Sequence, residues 1–151
     1  MLLIAALLLA ACDGTLHHSY RSVGGAWHKS ATVEFSLPMA AGDSLELYVG
    51  VRCSSAYAYK DLWLQVGCFE GDTLVSCDTL RCPIFNKDGR RNGSTAGVLY
   101  QSEYFFKVQK FTGNTPRAVR LHHLMSDSLL RGVYDVGIRL ASPGRHRCAE
   151  R

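Results

Sequence analysis

The chain has 151 residues, 47% of them hydrophobic and 20% charged, which suits one domain with a real core and is short for two. Lysine and arginine outnumber aspartate and glutamate by 17 to 13, a formal charge of +4. Apart from Lys87 to Arg91 and Arg145 to Arg151 the charges are scattered, and no basic stripe with interleaved aromatics points to nucleic acid as a partner.

Met1 to Ala11 reads MLLIAALLLAA, an uncharged apolar run too short to cross a bilayer, which takes about 20 residues as a helix. It matches the apolar core of a secretory signal, about 7 to 15 residues with small side chains before the cleavage point. Leu9-Ala10-Ala11-Cys12 resembles the lipobox of bacterial lipoproteins, where small residues admit the peptidase and the cysteine thiol is alkylated by diacylglycerol. The resemblance implies residues 1–11 as a cleaved signal, with diacylglycerol and an N-acyl chain on Cys12 and no other cofactor. The protein is then anchored to a membrane rather than spanning it. The basic residues that normally open such a signal are missing, since Met1 leads straight into leucine. The competing reading is a buried N-terminal strand or helix that ends in a cysteine.

Residues 12–25 are polar and without sustained period, and are expected to form the lipidated N-terminus and a tether. A period of two then takes over. Val33, Phe35 and Leu37 alternate with polar residues until Pro38, and Leu45, Leu47, Val49, Val51 and Cys53 form the clearest strand. Leu62 to Phe69 is partly apolar on both faces, which predicts a central strand. A turn at Gly71-Asp72 predicts a hairpin with Thr73 to Cys82, and Gly-rich Asn86 to Gly97 reads as a loop. Further strands are expected over Ser102 to Phe111, with Tyr104, Phe106 and Val108 on one face, and over Arg117 to Leu124 and Val133 to Leu140. Leu124 to Arg131 leaves room for a helical turn or two. The expectation is an all-β fold: a single antiparallel β-sandwich of about seven strands over residues 26–140, followed by a basic, disordered tail at 141–151.

Setting Cys12 aside leaves Cys53, Cys68, Cys77, Cys82 and Cys148, an odd number, so at least one thiol stays free or pairs between molecules. Cys68 and Cys77 flank the hairpin turn and would face each other if the loop closes with four residues; a two-residue loop would set them diagonally. Cys77-x4-Cys82 lacks the second close pair that a zinc site needs, so no metal is expected. Gly42-Asp43-Ser44-Leu45 spells the signature of the GDSL serine esterases. That family's late D-x-x-H segment is missing, however, and Ser44 enters a strand instead of a strand-to-helix turn. The adjacent His122 and His123 point to opposite faces of one strand. No catalytic set emerges. The loop tyrosines Tyr57 and Tyr59, with Trp63, are candidates for a partner, glycan or peptide surface, or for a cap on the core.

Gly25-Ala26-Trp27-His28-Lys29, Tyr57-Ala58-Tyr59-Lys60-Asp61-Leu62-Trp63-Leu64, Asp78-Thr79-Leu80, Lys87-Asp88-Gly89 and the closing run from Leu130 to Leu140 together resemble the gliding motility-associated lipoprotein family GldH of the Bacteroidota. The resemblance runs from the lipobox to Leu140. Members commonly carry a tryptophan where this chain has Arg90 and Arg91, and most lack the additional cysteines. What it implies is an envelope lipoprotein, partnered by other envelope or gliding-machinery proteins, with no enzymatic activity and no assigned site residues. No small-molecule substrate is expected, and the anchor is expected in the outer membrane facing the periplasm, the alternative being the inner membrane, since Asp13 after the lipid cysteine resembles an inner-membrane retention signal.

Overall fold

A computed structural model describes residues 14–144, and every structural statement below concerns those residues. Eleven strands follow one another: Thr15–Ser22 (β1), Ala26–His28 (β2), Val33–Leu37 (β3), Ser44–Cys53 (β4), Asp61–Glu70 (β5), Thr73–Pro83 (β6), Ser94–Ala96 (β7), Leu99–Lys110 (β8), Arg117–His123 (β9), Leu129–Arg131 (β10) and Val133–Ala141 (β11). A 3-10 turn at Met39–Ala41 is the one helical element, and there is no α-helix. One antiparallel sheet has the order β1-β11-β4-β8-β7 and the other β3-β9-β5-β6, while β2 and β10 form a two-stranded ribbon.

The predicted sandwich is the observed one. Alternation along each strand sends Leu45, Leu47, Val49 and Val51 of β4 inward with Val136, Ile138 and Leu140 of β11. From the other sheet come Leu62, Leu64 and Val66 of β5 with Val119 and Leu121 of β9, and all belong to one buried cluster. Each such side chain contributes about 1.5–3 kcal/mol on leaving water, offset largely by chain entropy. β5 lies between β9 and β6, the interior position expected of it, but the expectation that both its faces would be covered fails: its outer face is open and Trp63 is exposed there, because no described element packs on that side of the sheet.

Differences from the expectation concern the polar and the short elements. The expected tether at 12–25 is, over most of its described length, the edge strand β1, with Tyr20 paired to Gly137 and Ser19 to Ile138. The short β2 and β10 bring Trp27 and Leu130 together and bury both in the core, so Leu129–Arg131 is extended rather than helical. β7 pairs with β8 inside the stretch expected as loop. Ala141 closes β11, and Gly144 donates its backbone N–H to Glu46 Oε1 at 3.3 Å, so the described part of the 141–151 tail packs on the domain. The expected signal at 1–11, the expected lipid site Cys12, residue 13 and residues 145–151 lie outside the described residues.

Four one-residue register shifts interrupt the ladders, at Leu16 of β1, Phe106 of β8, Val75 of β6 and Tyr134 of β11, and those in β8 and β6 re-aim candidate side chains. In β8, Lys107 pairs with Leu47 but Phe105 pairs with Tyr48, which leaves Phe106 as the extra residue. The inward series therefore changes parity, and Val108 is exposed while Gln109 and Phe111 are buried. In β6 the extra residue is Val75, because Phe69 pairs with Leu74 and Cys68 with Ser76.

Candidate interaction surfaces

The three aromatics proposed as one surface separate. Tyr57 is a core residue, 2% exposed, and its hydroxyl donates to the Asp61 carbonyl at 2.9 Å. Gly132, at φ 91°, presses on it so closely that a Cβ there would sit 2.4 Å from the Tyr57 amide nitrogen. Burial pushes the Tyr57 phenol well above its ordinary value. Tyr59 stacks edge-on against it at 5.9 Å and donates its hydroxyl to Asp127 Oδ2 at 2.7 Å, a bond that raises the Tyr59 phenol. Trp63 stands exposed on β5, on the outer face of the four-stranded sheet.

That outer face carries features beyond the three candidate aromatics. Along β5 the outward positions run Trp63, Gln65, Gly67 and Phe69, and the missing side chain at Gly67 leaves a hollow of about 350 Å³. Gln65, Phe69, Leu74, Arg120, His122 and Cys77 line it, and a Cβ at Gly67 would come within 3.1 Å of the Phe69 ring. The Arg120 guanidinium lies 4.2 Å from the Phe69 ring centroid and its Nε donates to Glu34 Oε2. The period-two pattern of β5 carried this signal: the alternating set opposite the core set holds two aromatics with an amide and a gap between them. Chemically the hollow fits a flat or apolar group with a hydrogen-bonding rim.

A larger cleft of about 570 Å³ opens where the edge strands β1 and β3 leave the two sheets apart, with Trp27 and His28 in its wall. Arg21 reaches across it and donates from Nε to the Glu34 carbonyl at 2.8 Å. On the outer face of the five-stranded sheet, arginines lie over aromatic rings, while Phe105 stays exposed. Arg52 lies 3.8 Å from the Tyr20 ring centroid and bonds Gln101 Oε1, and Arg139 covers Tyr48 at 3.9 Å while bonding Glu103.

Cys68 and Cys77 do not face each other. The loop closes with two residues, and the Val75 bulge then sets Cys68 opposite Ser76 and Cys77 opposite Gly67. Cys68 is therefore buried between the sheets and Cys77 exposed outside, both as free thiols. The Gly-Asp-Ser-Leu tetrad is a structural corner: Arg117, 3% exposed, donates to the Gly42 carbonyl and to Asp43 Oδ1, and Ser44 opens β4 opposite Lys110. His122 and His123 take opposite faces, as expected. His123 is buried against Trp27 at 5.3 Å between ring centroids, and its Nε2 donates to the Trp27 carbonyl at 3.2 Å. Burial holds its imidazole below the usual value. No group of three metal-ligating side chains occurs among the described residues, nor any helix long and apolar enough to cross a membrane.

Comparison with known proteins agrees with the resemblance. The family model of the GldH lipoprotein matches residues 15–140, from the first residue of β1 to the penultimate residue of β11. The gliding motility lipoprotein GldH of Flavobacterium johnsoniae is 32% identical over 148 residues, covering 93% of each chain. A match along the whole sandwich, joined to identity at this level, places the chain in the GldH lipoprotein family.

Proposed function

We propose that this chain is a non-enzymatic accessory component of a motility- or secretion-linked envelope complex. Acyl chains on Cys12 hold it to the outer membrane facing the periplasm, and the sandwich docks other envelope proteins. The observation that carries this reading is the family match from residue 15 to residue 140, to a family whose relative is named for gliding motility. An anchor of this kind makes docking effective by confining the domain near its partners, so that weak contacts suffice. Trp63, on the same outer face of β5 as the Gly67 hollow, is an accessible member of the expected aromatic surface. The test is deletion in the chain's own organism, complemented by wild type or by Cys12→Ser. Deletion is expected to impair gliding, secretion or envelope integrity, and Cys12→Ser to leave the protein folded, off the membrane and unable to complement. Unchanged behaviour of the deletion in all three assays refutes the reading.

A second reading is favoured by the hollow itself: a glycan or peptide module binding at Gly67 between Gln65, Phe69 and Arg120. Calorimetric titration with cell-wall and polysaccharide fragments tests it, and no heat with any of them would sink it.

A further inference from the structure

Two buried cysteines, Cys53 and Cys82, enter the interior from opposite sheets, and in this structure both are free thiols. Cys53 ends β4 and continues the inward series of Leu45, Leu47, Val49 and Val51. Cys82 lies near the end of β6, opposite Leu62 of β5, and neither thiol is more than 1% exposed. Both belong to the same core cluster as Tyr57 and Ile84. Two hydrogen bonds tie this end of the sandwich together. Tyr104, from the sheet that holds Cys53, donates to the carbonyl of Pro83, the residue after Cys82, at 2.7 Å. Tyr57, four residues after Cys53, donates to the carbonyl of Asp61, which is the register partner of Pro83.

Electrostatics marks the same proximity. After burial, a charge on Cys53 is the strongest influence on the Cys82 thiol, and charges on both would raise the phenols of Tyr57 and Tyr104. Burial pushes the Cys53 thiol up to about 12 and Cys82 upward as well, so neither is a nucleophile once the core has closed.

We propose that Cys53 and Cys82 form the native disulfide of the exported protein, a bond between the two sheets that is made as the sandwich closes. The proposal rests on the export reading above, since disulfides persist in the oxidising envelope and not in the cytoplasm. Bonds between facing sheets are an established device of β-sandwiches. In the incompletely folded chain one thiolate attacks a sulfur of an oxidant disulfide, either an envelope thiol oxidase or a small disulfide. A mixed disulfide forms and one oxidant thiolate leaves. The second cysteine, as thiolate, displaces the other, so the protein loses two protons and two electrons and the oxidant gains them as a dithiol. Cys68 is kept out of this pairing with Cys77 by the Val75 bulge, and Cys77 stays as the exposed free thiol.

Tryptic mass spectrometry of the full lipidated chain tests this. Cells are lysed with N-ethylmaleimide, the envelope fraction is isolated, and the protein is unfolded and alkylated again without reductant. Cleavage after Arg52, Lys60, Arg81 and Lys87 places Cys53 and Cys82 on separate peptides, with Cys68 and Cys77 together on a third. The expected result is the peptide of residues 53–60 linked to that of residues 82–87, with Cys68 and Cys77 alkylated. Reduction should lower the folding constant by roughly several hundredfold, as for a closed loop of about thirty residues. Alkylation of Cys53 and Cys82 in denaturant without reductant overturns the proposal, as does linkage of either to another cysteine. Recovery of the chain from the cytoplasm instead of the envelope refutes the export reading and the proposal with it.

Discussion

Alanine at Gly50 would place a methyl group where Tyr20 already lies. A Cβ built on Gly50 stands 2.3 Å from the Tyr20 hydroxyl oxygen and 2.8 Å from the ring carbon that bears it. Tyr20 belongs to the edge strand β1, and its ring is held under the Arg52 guanidinium at 3.8 Å. Relief therefore requires the ring to swing off Arg52 or β1 to lift from β11. Overpacking of this kind costs about 1–3 kcal/mol, and the cation–π contact is worth about 0.5–1 kcal/mol. With Tyr20→Ala in place the obstacle is gone. Gly50→Ala should then be neutral or slightly stabilising, because glycine within a strand costs about 0.5–1 kcal/mol relative to alanine. The coupling energy of the double-mutant cycle is expected at about 2 kcal/mol. Urea unfolding of the signal-less chain, followed by the fluorescence of buried Trp27, gives each stability. Equal cost of Gly50→Ala in both backgrounds would refute the reasoning. Tyr20→Phe sharpens it: the hydroxyl is buried without a partner, so its removal should change stability by less than about 0.5 kcal/mol or raise it.

Three further outcomes are expected. His123 is buried neutral with its pKa depressed, so its contribution to stability is present above the unfolded-state value of about 6.5 and is lost as pH falls through the lower folded value. His123→Phe should flatten that limb of the stability-versus-pH curve, and an unchanged limb counts against the assignment. Arg117→Ala should cost about 1–3 kcal/mol, because it strips donors from the Gly42 carbonyl and the Asp43 carboxylate. Ser44→Ala should cost under about 0.5 kcal/mol. Loss of a measured ester hydrolysis in Ser44→Ala would instead revive the esterase reading. Tyr57→Ala should destabilise by about 3–5 kcal/mol as a core truncation, whereas Trp63→Ala should leave stability within about 0.5 kcal/mol and weaken partner recovery in membrane cross-linking. Equal destabilisation by the two would mean that Trp63 is structural.

The inward faces of β3, β4, β5, β9 and β11 were legible because a half-buried strand writes its burial into alternate residues. β1 was not legible. Its sequence, TLHHSYRS, buries no residue fully, and it becomes a strand by hydrogen bonding to β11, more than a hundred residues away. The aromatic candidates divided for a similar reason. Tyr57 and Tyr59 are two residues apart in one loop, yet Gly132 draws close against the first while the second bonds Asp127 near the surface.

The sequence by itself determined the sandwich class, the central place of β5, the opposite faces of His122 and His123, and the resemblance to GldH, because these follow from local alternation or from residue identity. Tertiary structure decided the edges and the register. It made a strand of the polar stretch Thr15–Ser22 and turned Val108 outward through the bulge at Phe106. Through the bulge at Val75 it placed Cys68 and Cys77 on opposite sides of one sheet. A one-residue shift reverses every side chain beyond it, and such a shift is set by backbone pairing with a neighbouring strand rather than by the residues of the strand itself.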